Sequence, residues 1–207
     1  MSETPTKTKE LIFDAFVEMT SELGYENVSM RDIANKVGIQ VASIYNHYKT
    51  KNSILEYAYD FHAQRQYENR VPIEIMKKLI ETAGPDEIIK NFIYTYESDV
   101  PKQYVRVVLI TKIIYMRLFQ DPLANTNFSE SNRLNTEYVI EIMQHGIDIG
   151  RIDPTFDIVA FADVMLGALQ AMAIKAFSDT NYVVGQLDQE QNIRGMISRL
   201  LASALIR

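Results

Sequence analysis

Apolar residues recur at intervals of three and four along nearly the whole chain, and nowhere do they alternate as in a strand. The pattern therefore predicts an all-α protein of about nine or ten helices. Leu11-Ile12, Ala15-Phe16, Met19 and Leu23 mark a first helix over 6–23, ended by Gly24. Two short helices follow over 30–37 and 41–48. A longer one over 52–69 carries Ile54, Leu55, Ala58, Phe61, His62 and Arg65 along one side, until Val71-Pro72 breaks it. Helices are then expected over 73–82, over 86–96 with Pro85 at a first helical position, over 101–119, and over 127–149 before Gly150. Asp153-Pro154 is read as opening a helix to Phe177, and Asp188 with Gln191 as capping a last one to Ile206.

The two short helices carry the sharpest local signals. Ser29 is followed three residues later by Asp32, the spacing of a capping box, and Val28 with Ile33 stand at the positions of a hydrophobic staple. Ile33, Ala34 and Val37 line one face, and Gly38 sits where a helix C-cap needs positive φ. The second pattern keeps Ile44 and Tyr48 on one side and offers Gln40, Val41, Ala42, Tyr45 and Asn46 on others. Two short helices about a glycine turn form a helix-turn-helix, whose second helix enters the DNA major groove. Any small helical hairpin shows that much, but Arg31, Lys36, Lys49 and Lys51 flank or open these helices, where a buried face has no need of charge.

Composition narrows the choice of partner. The chain has 207 residues, 47% hydrophobic and 23% charged, enough to bury a sizeable core. It has no cysteine, so neither a disulfide framework nor a thiolate metal site is expected. No apolar run is expected to reach transmembrane length and the polar N-terminus is unlike a signal peptide, so a cytoplasmic location is expected. The net charge of −6 opposes general adhesion to nucleic acid. Residues 1–51 hold 6 basic against 7 acidic residues, and five of those acids lie in or just after the first helix, able to face away from DNA. A local basic face, not the total, decides phosphate contact.

Elsewhere the sequence points to a body with a cavity. Residues 105–119 are apolar almost all round, and Phe92, Tyr96, Tyr115, Met116, Met143 and Met165 supply aromatic and flexible side chains of the kind that line ligand pockets between helices. Each of them is at least as well explained as plain core. Lys112 interrupts the apolar helix as a candidate counter-ion for an anionic ligand, and His62 is a weaker candidate lining residue. Near the end, Ala160, Val164, Gly167 and Ala171 form a narrow row that lets another helix approach closely. Ile193, Ile197, Leu200 and Ala204 give the last helix a broad apolar face.

Ala34, Gly38, Ser43-Ile44-Tyr45, Tyr48 and Lys51, followed by Ile54-Leu55, together resemble the DNA-binding signature of TetR-type transcriptional regulators. Gln40 and Ala42 depart from it, standing where Ser or Thr and Gly or Pro are usual. Both lie in the reading helix and so bear on which sequence is read. The resemblance implies a helix-turn-helix domain over 1–51 and a helical ligand-binding and dimerisation domain over 52–207. Its last two helices would build a four-helix bundle across a two-fold axis. It implies a homodimer on a palindromic double-stranded DNA operator and a small-molecule effector, most simply a repressor released by its ligand. Within each half-site, Arg31 is long enough for a guanine edge, Val41 and Ala42 suit thymine methyls, and Gln40 or Asn46 can pair with adenine. By position in the family pattern, Ser43, Tyr45, His47 and Lys51 are expected to contact phosphate.

Two other classes stay open at this point: a DNA-binding regulator with no small-molecule signal, and a helical carrier protein whose helix-turn-helix is incidental. An enzyme is not expected. The three histidines are scattered, and the chain has no phosphate-cradling glycine loop, HExxH or nucleophile elbow. No cofactor, metal or membrane partner is expected either.

Overall fold

A computed structural model describes residues 7–68, 70–92, 102–178 and 188–206, with side chains except at 66, 67, 102–104, 176 and 188–193. Among the described residues the chain forms ten α-helices. They are α1 (Lys7–Leu23), α2 (Met30–Val37), α3 (Val41–Tyr45), α4 (Lys51–Glu68), α5 (Ile73–Thr82), α6 (Pro85–Phe92), α7 (Lys102–Arg117), α8 (Pro122–Asp148), α9 (Ile158–Ser178) and α10 (Asp188–Ala204). A single 3₁₀ turn, Tyr25–Asn27, lies between α1 and α2.

The helices pack as two compact units, one of residues 1–68 and 101–128, the other of 69–100 and 129–207. This grouping by packing differs from the division at residue 51 that the family resemblance suggests. The reason lies in α1 and α4. Both turn apolar faces to α7, so Phe13, Phe16, Ile54, Leu55, Ala58, Ile110, Ile113 and Ile114 share one core with Ile33, Ala34 and Ile44 of the short helices. Charge reinforces this packing where α1 meets α7: Arg106 Nε donates to Asp14 Oδ1 at 2.5 Å, with Glu10 4.0 Å from the same guanidinium.

The second unit is built around Met76, Ile80, Ile88, Ile89, Val139, Ile142, Met143, Phe161, Met165, Ile197 and Leu201. α6 and α10 pack closely, and the Ser198 hydroxyl donates to Asp86 between them. Gly146 in α8 lets Ile152 lie against the helix: a Cβ there would stand 2.6 Å from Ile152 Cδ1. Ile152 also forms an antiparallel bridge with Leu205, flanked by Asp153 N–H to Ala204 O and Ile206 N–H to Arg151 O, each 2.9 Å.

α9 departs from one expectation. Ile158–Lys175 is, by length and composition, apolar enough to cross a membrane, although only 17% of it is buried within the chain. A single helix of that kind is weak evidence of a membrane span. What the exposure does establish is that much of α9 is left uncovered among the described residues.

Candidate functional site

The local chemistry of 28–51 fixes the geometry of the helix-turn-helix. Ser29 Oγ accepts from Asp32 N–H at 3.2 Å, and Asp32 Oδ2 accepts from Ser29 N–H at 2.9 Å, closing the capping box at the start of α2. The Ser29 hydroxyl, which donates to Asp32 Oδ2 at 2.5 Å, and after it the Ser29 N–H hold the Asp32 carboxyl below the usual carboxylate range. Val28 and Ile33 are both fully covered, as a staple requires. At the other end Gly38 has φ 76°, ψ 33°, and its N–H donates to Ala34 O at 2.9 Å while Ile39 N–H reaches the same carbonyl at 3.0 Å. An L side chain tolerates that left-handed conformation poorly, which is why a glycine stands there.

α3 is shorter than its pattern suggests. It ends at Tyr45, and Asn46 and His47 form a turn that brings Tyr48 into the core beside Ile44. Ile44 and Tyr48 therefore serve as anchors, and the other side of α3 faces outward. Gln40 is the N-cap by backbone alone: its carbonyl accepts from Ser43 N–H at 2.9 Å and its side chain makes no capping bond. Gln40, Ala42, Tyr45 and Asn46 are exposed, and so is Arg31 on α2. Ser43 and His47 are half-buried. Val41 is half-buried too and packs on the core, so only part of its surface remains for an outside partner.

The basic residues divide into two sets. Lys49 and Arg31 are exposed. Lys36 pairs with Glu18 of α1 at 2.9 Å. Lys51 turns inward: its Nζ donates to Tyr25 O at 2.8 Å and Val28 O at 2.9 Å, and lies 3.9 Å from the centre of the Tyr25 ring. Burial lowers its pKa below the ordinary lysine value. Sequence reasoning missed a further feature here. Thr50 and Ser53 cap α4 reciprocally, each hydroxyl accepting the other's N–H at 3.0 and 3.2 Å. The Thr-x-x-Ser spacing was the available signal. It leaves the positive end of the α4 dipole beside exposed Lys49.

The candidate ligand-lining residues fall in different surroundings. In the first unit, His62 is buried, with Nδ1 2.9 Å from Asn127 Oδ1 and Nε2 3.0 Å from Thr111 Oγ1, so both ring nitrogens are engaged. Lys112 is half-buried, Tyr115 stacks edge-on with Phe128, and Met116 is largely exposed, reaching toward Gly24. In the second unit Met143 and Met165 are core residues, and Phe92 packs against that core and edge-on to the Tyr138 ring. Tyr96 lies outside the described residues.

Of the residues expected to face a second copy, Ala160, Val164, Gly167, Ala171 and Leu200 are exposed. Ile197 and Ala204 are instead buried within their own unit, on the side of α10 that meets α6 and the Ile152 turn. The side chain of Ile193 lies outside the described ones.

Comparison with known proteins bears on this geometry. Residues 12–58 match the family model described as bacterial regulatory proteins, tetR family. The biofilm operon icaADBC HTH-type negative transcriptional regulator IcaR of Staphylococcus aureus is 28% identical over 99 residues, 48% of this chain and 50% of that protein. The chain thus aligns with about half the length of the curated relatives it matches. Among solved structures, a Saccharomonospora viridis chain assigned as a transcriptional regulator, in complex with choline, superposes with a TM-score of 0.65 at 14% identity, covering 98% of this chain and 100% of that one. The fatty acid degradation regulator FadR of Bacillus halodurans gives 0.63 at 16% identity, covering 95% and 97%. At such identities the structural likeness speaks for the fold, and the fold is shared over nearly the full length. Segment and fold agree: residues 12–58 match the tetR family of bacterial regulatory proteins, and the helical fold around them is shared over nearly the full length with these solved structures.

Proposed function

We propose that this protein is a dimeric, ligand-responsive repressor that docks α3 in the major groove of a palindromic operator. One observation carries the reading. α3 is anchored from behind by Ile44 and Tyr48, while Gln40, Ala42, Tyr45 and Asn46 stand exposed on it, with Arg31 exposed on the neighbouring helix. Gln40 and Asn46 suit adenine, Ala42 a thymine methyl and Arg31 a guanine edge. Tyr45, Ser43, His47 and Lys49 serve the phosphates, with the N-terminus of α4. Domain roles then divide near residue 51, although packing groups the helices otherwise.

Repression is favoured by the likeness to IcaR, a negative regulator. Release by a small molecule is favoured by the apolar, methionine- and aromatic-rich body, and a structural neighbour was solved with choline. The exposed small and apolar row of α9 supports a dimer, which would place two reading helices roughly 34–36 Å apart.

Selection from a random duplex pool tests the reading. The expected winner is a pseudo-palindrome, bound more weakly as salt rises. Arg31→Ala is expected to lose about 1–3 kcal/mol and to relax preference at one position of each half-site. Equal weakening across all sequences would reduce Arg31 to a phosphate contact, and a pool with no enriched sequence would sink the repressor reading.

A further inference from the structure

Tyr25 occupies the 3₁₀ turn between α1 and α2, and two cations from other helices lie over its ring. Lys51 Nζ, from the first turn of α4, is 3.9 Å from the ring centre, and the Arg117 guanidinium carbon, from the last turn of α7, is 4.2 Å from it. An ammonium has three N–H groups. Two carbonyls and one ring account for those of Lys51: Tyr25 O at 2.8 Å, Val28 O at 2.9 Å and the Tyr25 ring itself. Val28 immediately precedes Ser29, the N-cap of α2, so this bond ties the start of α4 to the start of the helix-turn-helix.

Arg117 is held just as firmly. Its Nη1 donates to Glu26 Oε1 at 3.2 Å and its Nε to Asp121 Oδ2 at 3.1 Å, and that carboxylate oxygen also accepts from the Tyr59 hydroxyl of α4 at 3.1 Å. The cluster thus joins the turn before α2, the first turn and middle of α4, and the end of α7. α7 is also the helix that carries Lys112 and Tyr115.

We propose that Lys51 is a positioning residue and not a phosphate contact, and that Lys51, Tyr25 and Arg117 form the joint through which α7 sets the orientation of the helix-turn-helix. Phosphate binding by Lys51 would require giving up a carbonyl or the ring, whereas exposed Lys49 two residues earlier gives up only a single bond to Tyr45 O at 3.4 Å. The inference rests on the DNA-binding reading for its consequence, but the joint is testable without DNA.

In the free full-length protein labelled with ¹⁵N-lysine, the Lys51 ammonium, identified by its loss in Lys51→Arg, is expected as a slowly exchanging resonance displaced upfield by the ring. Tyr25→Phe should keep it and Tyr25→Leu should abolish it. A Lys51 signal that exchanges as fast as those of exposed lysines overturns the proposal. With the duplex selected by the wild-type protein, Lys51→Met and Arg117→Met are each expected to weaken binding about tenfold. Their slopes of log affinity against log salt should match that of the wild type. A slope smaller by about 0.9 for Lys51→Met means one lost phosphate contact and overturns the proposal. If the wild-type protein selects no duplex, the repressor reading fails, and the resonance alone decides whether the joint exists.

Discussion

His62 shows how much a single buried residue can set. Asn127 Nδ2 donates to Tyr59 O at 3.1 Å, which turns its Oδ1 toward His62 and makes Nδ1 the protonated ring nitrogen. Thr111 Oγ1 stands 3.0 Å from Nε2 and 2.8 Å from Val107 O, so its hydroxyl proton has two competing acceptors. Burial pushes the His62 pKa down to about 4, with the Asn127 bond opposing. The unfolded chain therefore takes up a proton near pH 6.5 that the folded chain refuses until about 4. Stability is complete above 6.5 and declines as pH falls toward 4. Urea unfolding should show a loss of roughly 2 kcal/mol between pH 7 and 5 from this group. His62→Gln, which cannot titrate, should remove that part of the pH dependence; an unchanged profile would show that His62 does not titrate this way. None of this was legible in sequence, because Thr111 and Asn127 lie far along the chain. The capping box of Ser29 and Asp32 was legible because both partners sit within one turn. The same limit hid the partners of Lys51, whose place in the family pattern suggested an outward contact and whose carbonyls lie before α2.

Elements repeat the lesson with one dipeptide used in two ways. Asp121-Pro122 opens α8: Asp121 Oδ1 accepts from Leu123 N–H at 3.0 Å and proline takes the first helical position. Asp153-Pro154 opens no helix. Asp153 Oδ1 accepts from Thr155 N–H at 2.8 Å in a tight turn, and α9 starts later, with Asp157 Oδ1 accepting from Ala160 N–H at 2.9 Å. Pattern reading started α8 too late and α9 too early, since only the position of Ile152 against α8 and Leu205 decides between helix and turn. That seat gives an element-scale prediction. Alanine normally stabilises a helix over glycine by up to about 1 kcal/mol. Gly146→Ala should do the reverse, because its Cβ would meet Ile152 Cδ1 at 2.6 Å, Ile152 Cγ1 at 2.9 Å and Ile80 Cγ1 at 3.2 Å. Thermal unfolding should show a lower midpoint for Gly146→Ala and partial recovery on adding Ile152→Val. A higher midpoint for the single variant would mean that the Ile152 side chain swings clear.

On the scale of the whole molecule, α9 asks most insistently for a partner. Val159, Val164 and Ile174 are 52%, 48% and 54% exposed, and Ala160, Gly167 and Ala171 lie exposed among them. A row of small residues lets a second helix backbone come close, and a two-fold axis would let one row meet its own copy. Val164→Asp puts a charge into that row without touching the core. Sedimentation should find the wild-type protein as a dimer and Val164→Asp as a monomer of unchanged helix content. A monomeric wild type would remove the basis for two half-sites. The bridge between Ile152 and Leu205 has a further consequence for this region. It closes the chain from the end of α8 to the end of α10 into a loop clasped at its base, and Arg151 strengthens the clasp by donating to Ile206 O at 3.1 Å and Ala83 O at 3.4 Å. Doubling the length of a closed loop adds only about 0.6 kcal/mol of entropy. A longer path from α8 to α10 would therefore do little to release α10 from its seat.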